Sequence, residues 1–127
     1  MARDAAEGYP RSARLTRARD FERALKRPDL RLAAGPLRLH AVFNRMQFAR
    51  LGLVVGKKAI SRAPARNRVK RIIREHFRRQ RRGLTGLDAV VRVLGPVDAV
   101  QLHGQLERLF ADLATRAAER SGEIVNH

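Results

Sequence analysis

The chain has 127 residues, which suits one domain and leaves little room for two. Hydrophobic residues make up 44%, enough for a core, so a wholly disordered chain is excluded, and the absence of cysteine excludes disulfides, thiol nucleophiles and thiolate metal sites. Lys plus Arg number 28 against 12 Asp plus Glu, and a net charge of +16 makes the surface repel itself unless a polyanion neutralises it.

Residues 1–13, with Gly8, Pro10 and no period, read as a flexible basic arm. Arg17 to Lys26 follows as a helix, with Ala18, Phe21, Ala24 and Leu25 on one stripe, Thr16 as its cap and Pro28 as its stop. Leu30 to Ala34 is a weak strand before the Gly35-Pro36 turn. Leu37 to Asn44 alternates strongly: Leu37, Leu39, Ala41 and Phe43 face one way, and Arg38, His40, Val42 and Asn44 the other. Arg50 to Val55 is nearly continuously apolar, as a central strand is.

A long helix is predicted from Arg62 to Arg82, with Ser61 as cap, Pro64 in its first turn and Gly83 at its end. Val69, Ile72, Ile73, His76 and Phe77 form its apolar stripe, while Arg66, Lys70, Arg74 and Arg78 recur every four residues on an exposed side. Asp88 to Leu94 is a fourth strand, closed by Gly95-Pro96. An amphipathic helix from Val97 to Arg116 carries Leu102, Leu106, Leu109, Phe110 and Leu113, and residues 117–127 read as a disordered tail. Residues 14–116 are then a single α/β domain of α-β-β-β-α-β-α order, with the first three strands able to pair as a meander.

The charge is focused. Residues 1–55 carry a net of +7, residues 56–82 a net of +11 with Glu75 their sole acid, and residues 83–127 a net of −2. A focused patch fits a docking surface for nucleic acid better than a general solubility charge does. The stretch from Lys57-Lys58 through Arg66-Asn67-Arg68 to Lys70-Arg71 combines two lysines, a helix start with free N–H groups, and phosphate-matching guanidinium forks. Its plainer reading is a solvated helix face, which the near-absence of acids argues against. Phe21, Arg38 and His40 are a second candidate, a ring beside cations for single-stranded RNA. Phe21 is equally readable as the core anchor of the first helix.

Catalytic patterns are lacking. His40, His76, His103 and His127 share no metal-ligand spacing, no triad is apparent, and no glycine-rich phosphate loop occurs. His76 reads as a packed helix histidine. No apolar run approaches membrane-spanning length and no secretory signal is seen, so a cytoplasmic chain without a membrane partner is expected.

From Arg66-Asn67-Arg68 through Lys70-Arg71, Arg74-Glu75 and Phe77-Arg78, the chain resembles the bacterial ribonuclease P protein component family. Arg14-Leu15 with Phe21, the strand before Lys57-Lys58, Asp88 and Pro96 are similar in the same order. It differs from the family pattern at Leu25, at His40 and at Leu94-Gly95.

The resemblance implies an α/β sandwich, of the kind called ribosomal protein S5 domain 2-like, with a left-handed β-α-β crossover. It implies a subunit that binds a catalytic RNA and helps remove the 5′ leader of precursor tRNA. The chemistry would rest on Mg2+ bound mainly by the RNA, with no catalytic residue in the protein and no obligate protein partner. Arg66, Asn67, Arg68, Lys70, Arg71 and Arg74 would face the RNA subunit. Arg14, Phe21, Arg38, His40, Lys57 and Lys58 would face the leader. The competing readings are a general or ribosomal-type RNA-binding module and a helix in a DNA major groove; a self-sufficient metallonuclease lacks the necessary carboxylates.

Overall fold

The computed structural model describes residues 13–125, and the N-terminal arm lies outside them except for Ala13. The elements run α1 (Ala18–Lys26), β1 (Leu30–Ala34), β2 (Leu37–Phe43), β3 (Arg50–Val55), α2 (Ala63–Gln80), a 3-10 turn (Arg81–Leu84), β4 (Leu87–Val93) and α3 (Ala99–Val125). The mixed α/β order is the expected one.

The sheet order is β1-β2-β4-β3, so the first three strands do not form a meander. The β1–β2 hairpin is antiparallel, β2 pairs antiparallel with β4, and β3 pairs parallel with β4. β4 takes the centre because Leu87 to Val91 are all buried, a pattern that needs neighbours on both sides. β3 lies at the edge, with Val54 exposed and the backbone N–H of Leu15 donating to the Leu51 carbonyl.

Strand alternation divides the molecule into two cores. Leu37, Leu39, Leu51, Ala89 and Val91 point toward Ile73, Phe77, Leu102 and Phe110 of α2 and α3. On the other face Val42 and Val90 meet Leu15 and Ala24, with Phe21 and Leu25 packed against them. A Cβ on Gly52 would lie 2.6 Å from the Phe21 ring, so glycine is what lets that ring approach the strand.

Several boundaries differ from the sequence reading. The cap of α1 is Arg17, not Thr16, and that of α2 is Arg62, not Ser61; neither makes a side-chain cap bond. α2 stops at Gln80, and Gly83 falls inside the 3-10 turn rather than at a helix end. β2 stops at Phe43, because Asn44 turns its side chain to Asp88 and its N–H to the Gly86 carbonyl. β4 spans Leu87–Val93 rather than starting at Asp88. α3 continues through residues 117–125, where the sequence suggests a tail: Ala117 is buried and Arg120 donates to the Asp29 carbonyl.

Asp88 is buried within β4 and is held on three sides. Arg50 donates to both its oxygens, at 2.8 and 2.7 Å, and Asn44 donates to one at 2.8 Å. Removing the carboxylate strands the Arg50 guanidinium beside apolar strands. Asp88→Ala is therefore expected to cost ~3–5 kcal/mol in urea unfolding; a loss under about 1 kcal/mol, the range of an exposed pair, would show that the bridge does not hold the sheet.

Candidate nucleic-acid interface

Two cationic surfaces emerge, one on each layer. The first is the outer side of α2. Pro64 fits there because the first helical N–H groups need no intrahelical acceptor. Val69, Ile73 and Phe77 anchor the helix to the sheet, and Asn67, Arg68 and Arg71 are exposed.

The row Arg66, Lys70, Arg74 and Arg78 is not a uniformly exposed side; all four are half-buried. A spacing of four overshoots the ~3.6-residue turn, so the row winds around the helix. Nη1 of Arg66 donates to the carbonyls of Ile60 and Ser61, at 3.0 and 2.9 Å, and so fixes the loop leading from Lys57-Lys58 into α2.

Glu75 bonds Arg78 at 2.5 Å and Arg79 at 3.0 Å, and these partners, Arg78 foremost, lower its pKa to about 2. Its contribution to stability is present above its unfolded value near 4.5 and is lost as pH falls toward 2. Exposure keeps that contribution small. The local acid is thus spent on Arg78 and Arg79 and leaves the start of the helix uncompensated. Farther along, His76 Nε2 meets His103 Nδ1 at 2.9 Å, joining α2 to α3, and burial holds His76 below its ordinary pKa.

The second surface is the sheet face opposite α2 and α3. α1 covers the end with Val42, Val90 and Asp88 and leaves the rest open. The pairing aligns Ala33, Arg38, Arg92 and Val54 in one row, and Arg31, His40, Val90 and Gly52 in the next. Arg38 and His40 are therefore brought together, as expected. Phe21 stands half-buried over Gly52, at the border of the row that holds His40.

Arg14 lies elsewhere, bridged to Leu51 on the outer edge of β3. Lys57 and Lys58 are exposed just beyond β3, at the sheet end that carries Arg38 and Arg92. Arg92 and Arg31 belong to this face although alternation does not single them out. The available signal for Arg92 is a lone cation in an apolar strand, and its meaning depends on β4 lying beside β2.

Burial, then Arg92 and Arg31, hold His40 below its ordinary pKa of 6.5, so it is neutral at pH 7. Its contribution to stability is present above 6.5 and is lost as pH falls through the folded value.

Fold and surface define an α/β protein of the RNA-binding class, with its cations on one helix and one sheet face. The ribonuclease P family model matches residues 9–117. A ribonuclease P protein component from Halorhodospira halophila is 43% identical over 118 residues, covering 91% of this chain and 97% of its own. One from Pseudomonas aeruginosa is 38% identical, covering 83% and 80%. The solved RNase P protein from Thermotoga maritima superposes with a TM-score of 0.64 at 31% identity, covering 76% of this chain and 94% of that one. The one from Staphylococcus aureus gives 0.67 at 26%, covering 78% and 93%.

This chain belongs to the bacterial ribonuclease P protein component family, whose role is tRNA 5′ processing. Membership decides against the general RNA-binding module.

NMR titration is expected to place His40 below 6.5, and Arg92→Ala to move it upward by removing the cation that lowers it most. An unchanged His40 value in that variant would show that Arg92 and His40 do not share one field.

Proposed function

We propose that the start of α2 docks on the catalytic RNA of ribonuclease P, while the open sheet face holds the 5′ leader of precursor tRNA. The observation that carries this reading is the run from Gly56 to Arg74, which holds eight cations and no acid. Such a surface binds phosphate and releases counterions on contact. Asn67, Arg68 and Arg71 would meet the RNA directly, with Lys70 and Arg74 beside them. Arg66 acts as a positioning residue through its bonds to Ile60 and Ser61.

On the sheet, Arg38 and Arg92 would meet leader phosphates, with His40 and Phe21 offering rings to its bases. Lys57 and Lys58 stand where the two surfaces approach, and Arg14 would extend the leader surface over β3. Among the described residues no three His, Asp or Glu gather to hold a metal. In this reading magnesium would be bound mainly by the RNA and would supply the hydrolytic chemistry there. No described helix is long and apolar enough to cross a membrane; we place the complex in the cytoplasm with its two RNA partners and no obligate protein partner.

The test is cleavage of precursor tRNA by a bacterial ribonuclease P RNA at low magnesium, with and without this protein. Cleavage at the mature 5′ end is expected only with the protein present. Arg68→Ala should weaken binding to that RNA at unchanged melting temperature and reduce the slope of log K against log salt by about 1. Arg66→Ala should lower both affinity and melting temperature, because the loop loses its tie. Wild-type affinity in Arg68→Ala would remove α2 from the interface.

A further inference from the structure

A cavity of about 380 Å³ opens between the start of α2, the loop before it and the segment leading into α3. Its walls are chiefly aliphatic: Ile60, Ala65, Val69, Ile72, Val97 and Leu102. Arg62, Arg68 and Ser61 supply its polar side, and all three are exposed. The volume lies within the ~300–1,000 Å³ typical of pockets for small organic groups.

We infer that this cavity is a base pocket, which takes one unstacked nucleobase of the docked RNA while Arg62 and Arg68 pair with the phosphates on either side. The inference rests on the reading that the start of α2 docks on the catalytic RNA.

Charge complementarity selects the occupant. Arg62 and Arg68 border the cavity with no acid among its lining residues, so charge favours an anionic ligand at the mouth. The nearby acid, Asp98, accepts a bond from the Val100 N–H at the start of α3 and is committed to that end. An aliphatic cleft beside an anion site needs a ligand that is apolar on its faces and charged at its flanks. An unpaired nucleotide meets both demands: its base faces pack on apolar side chains, its polar edge reaches a hydroxyl such as that of Ser61, and its phosphates remain outside. A purely ionic contact would leave the partly exposed Ile60, Ile72 and Val97 walls facing water.

The pocket also divides the labour within the motif. Asn67 and Arg71 lie on the exposed side of the helix, whereas Arg68 borders the cavity. Arg68 would thus grip the backbone at the one nucleotide drawn out of the stack.

Filling the cavity tests the inference. Ala65→Leu narrows it from α2; Ala59 also lines it, from the loop, and Ala59→Leu is a second variant should the first disturb the helix. With the melting temperature unchanged, binding to the catalytic RNA is expected to weaken roughly tenfold, the order expected for losing the apolar burial of one base. The salt slope should stay that of the wild type, because no phosphate contact is removed. Base-specific chemical probing should show one unpaired nucleotide protected by the wild type and exposed with the filled variants, while backbone protection persists.

Wild-type affinity and the same protection in both filled variants would overturn the base pocket, even where Arg68→Ala still weakens binding. Wild-type affinity in Arg68→Ala would instead overturn the docking reading beneath it. Binding of a poly-glutamate peptide that the filled variants abolish, with RNA binding intact, would overturn the base assignment in favour of a protein partner.

Discussion

The buried carboxylate of Asp88 is the joint on which the sheet depends. It lies in the central strand, and its partners come from β3 and from the turn after β2. Arg50 reaches from it toward Asp20 of α1, at 3.8 Å. A charge in that position is tolerable only when every oxygen has a partner, so the bridge selects one register of β3 on β4. That register aligns Val54 with Arg92 and Gly52 with Val90. Gly52 in turn admits the Phe21 ring and fixes how α1 lies on the sheet. The width of the open face therefore follows from a single ion pair at the opposite end of the strands.

The second constraint is uncompensated charge. A net of +11 within 27 residues opposes folding by self-repulsion, and Glu75 relieves only the second half of α2. The fold answers by committing the first half to contacts that do not neutralise it: Arg66 is bonded to carbonyls and Arg68 stands at a cavity mouth. Polyanion binding is what completes such a surface energetically. The acidic, weakly charged C-terminal third shows that the basicity is not a property of the whole chain.

Much of this was legible in the sequence, for physical reasons that also explain the exceptions. Period-two alternation located β2 within a residue, because one face of that strand is apolar, and the Gly35-Pro36 turn and the apolar run of Arg50 to Val55 located β1 and β3. The motif on α2 and the gap in acids around it marked the helix as a cationic surface. Sheet order was not legible: β3 and β4 both read as apolar runs, and which becomes central depends on long-range pairing that alternation does not encode. Arg92 was hidden for the same reason. The half-buried state of Lys70 and Arg74 was missed because a four-residue row drifts around a helix. The end of α3 was missed because Ala117 is a small core residue rather than part of the leucine stripe.

The two surfaces lie on opposite layers and approach at one end, where β3 runs into Lys57 and Lys58 and then into α2. That connection is short and is tied by Arg66, so neither surface can move far without the other. Under the proposed reading, a protein built this way would hold two RNA segments at a fixed separation rather than add affinity to each independently. In the proposed assembly, the leader on the sheet is positioned by the same loop that seats α2 on the catalytic RNA. In that assembly the cost of orienting the two RNAs would be met partly by the fold itself.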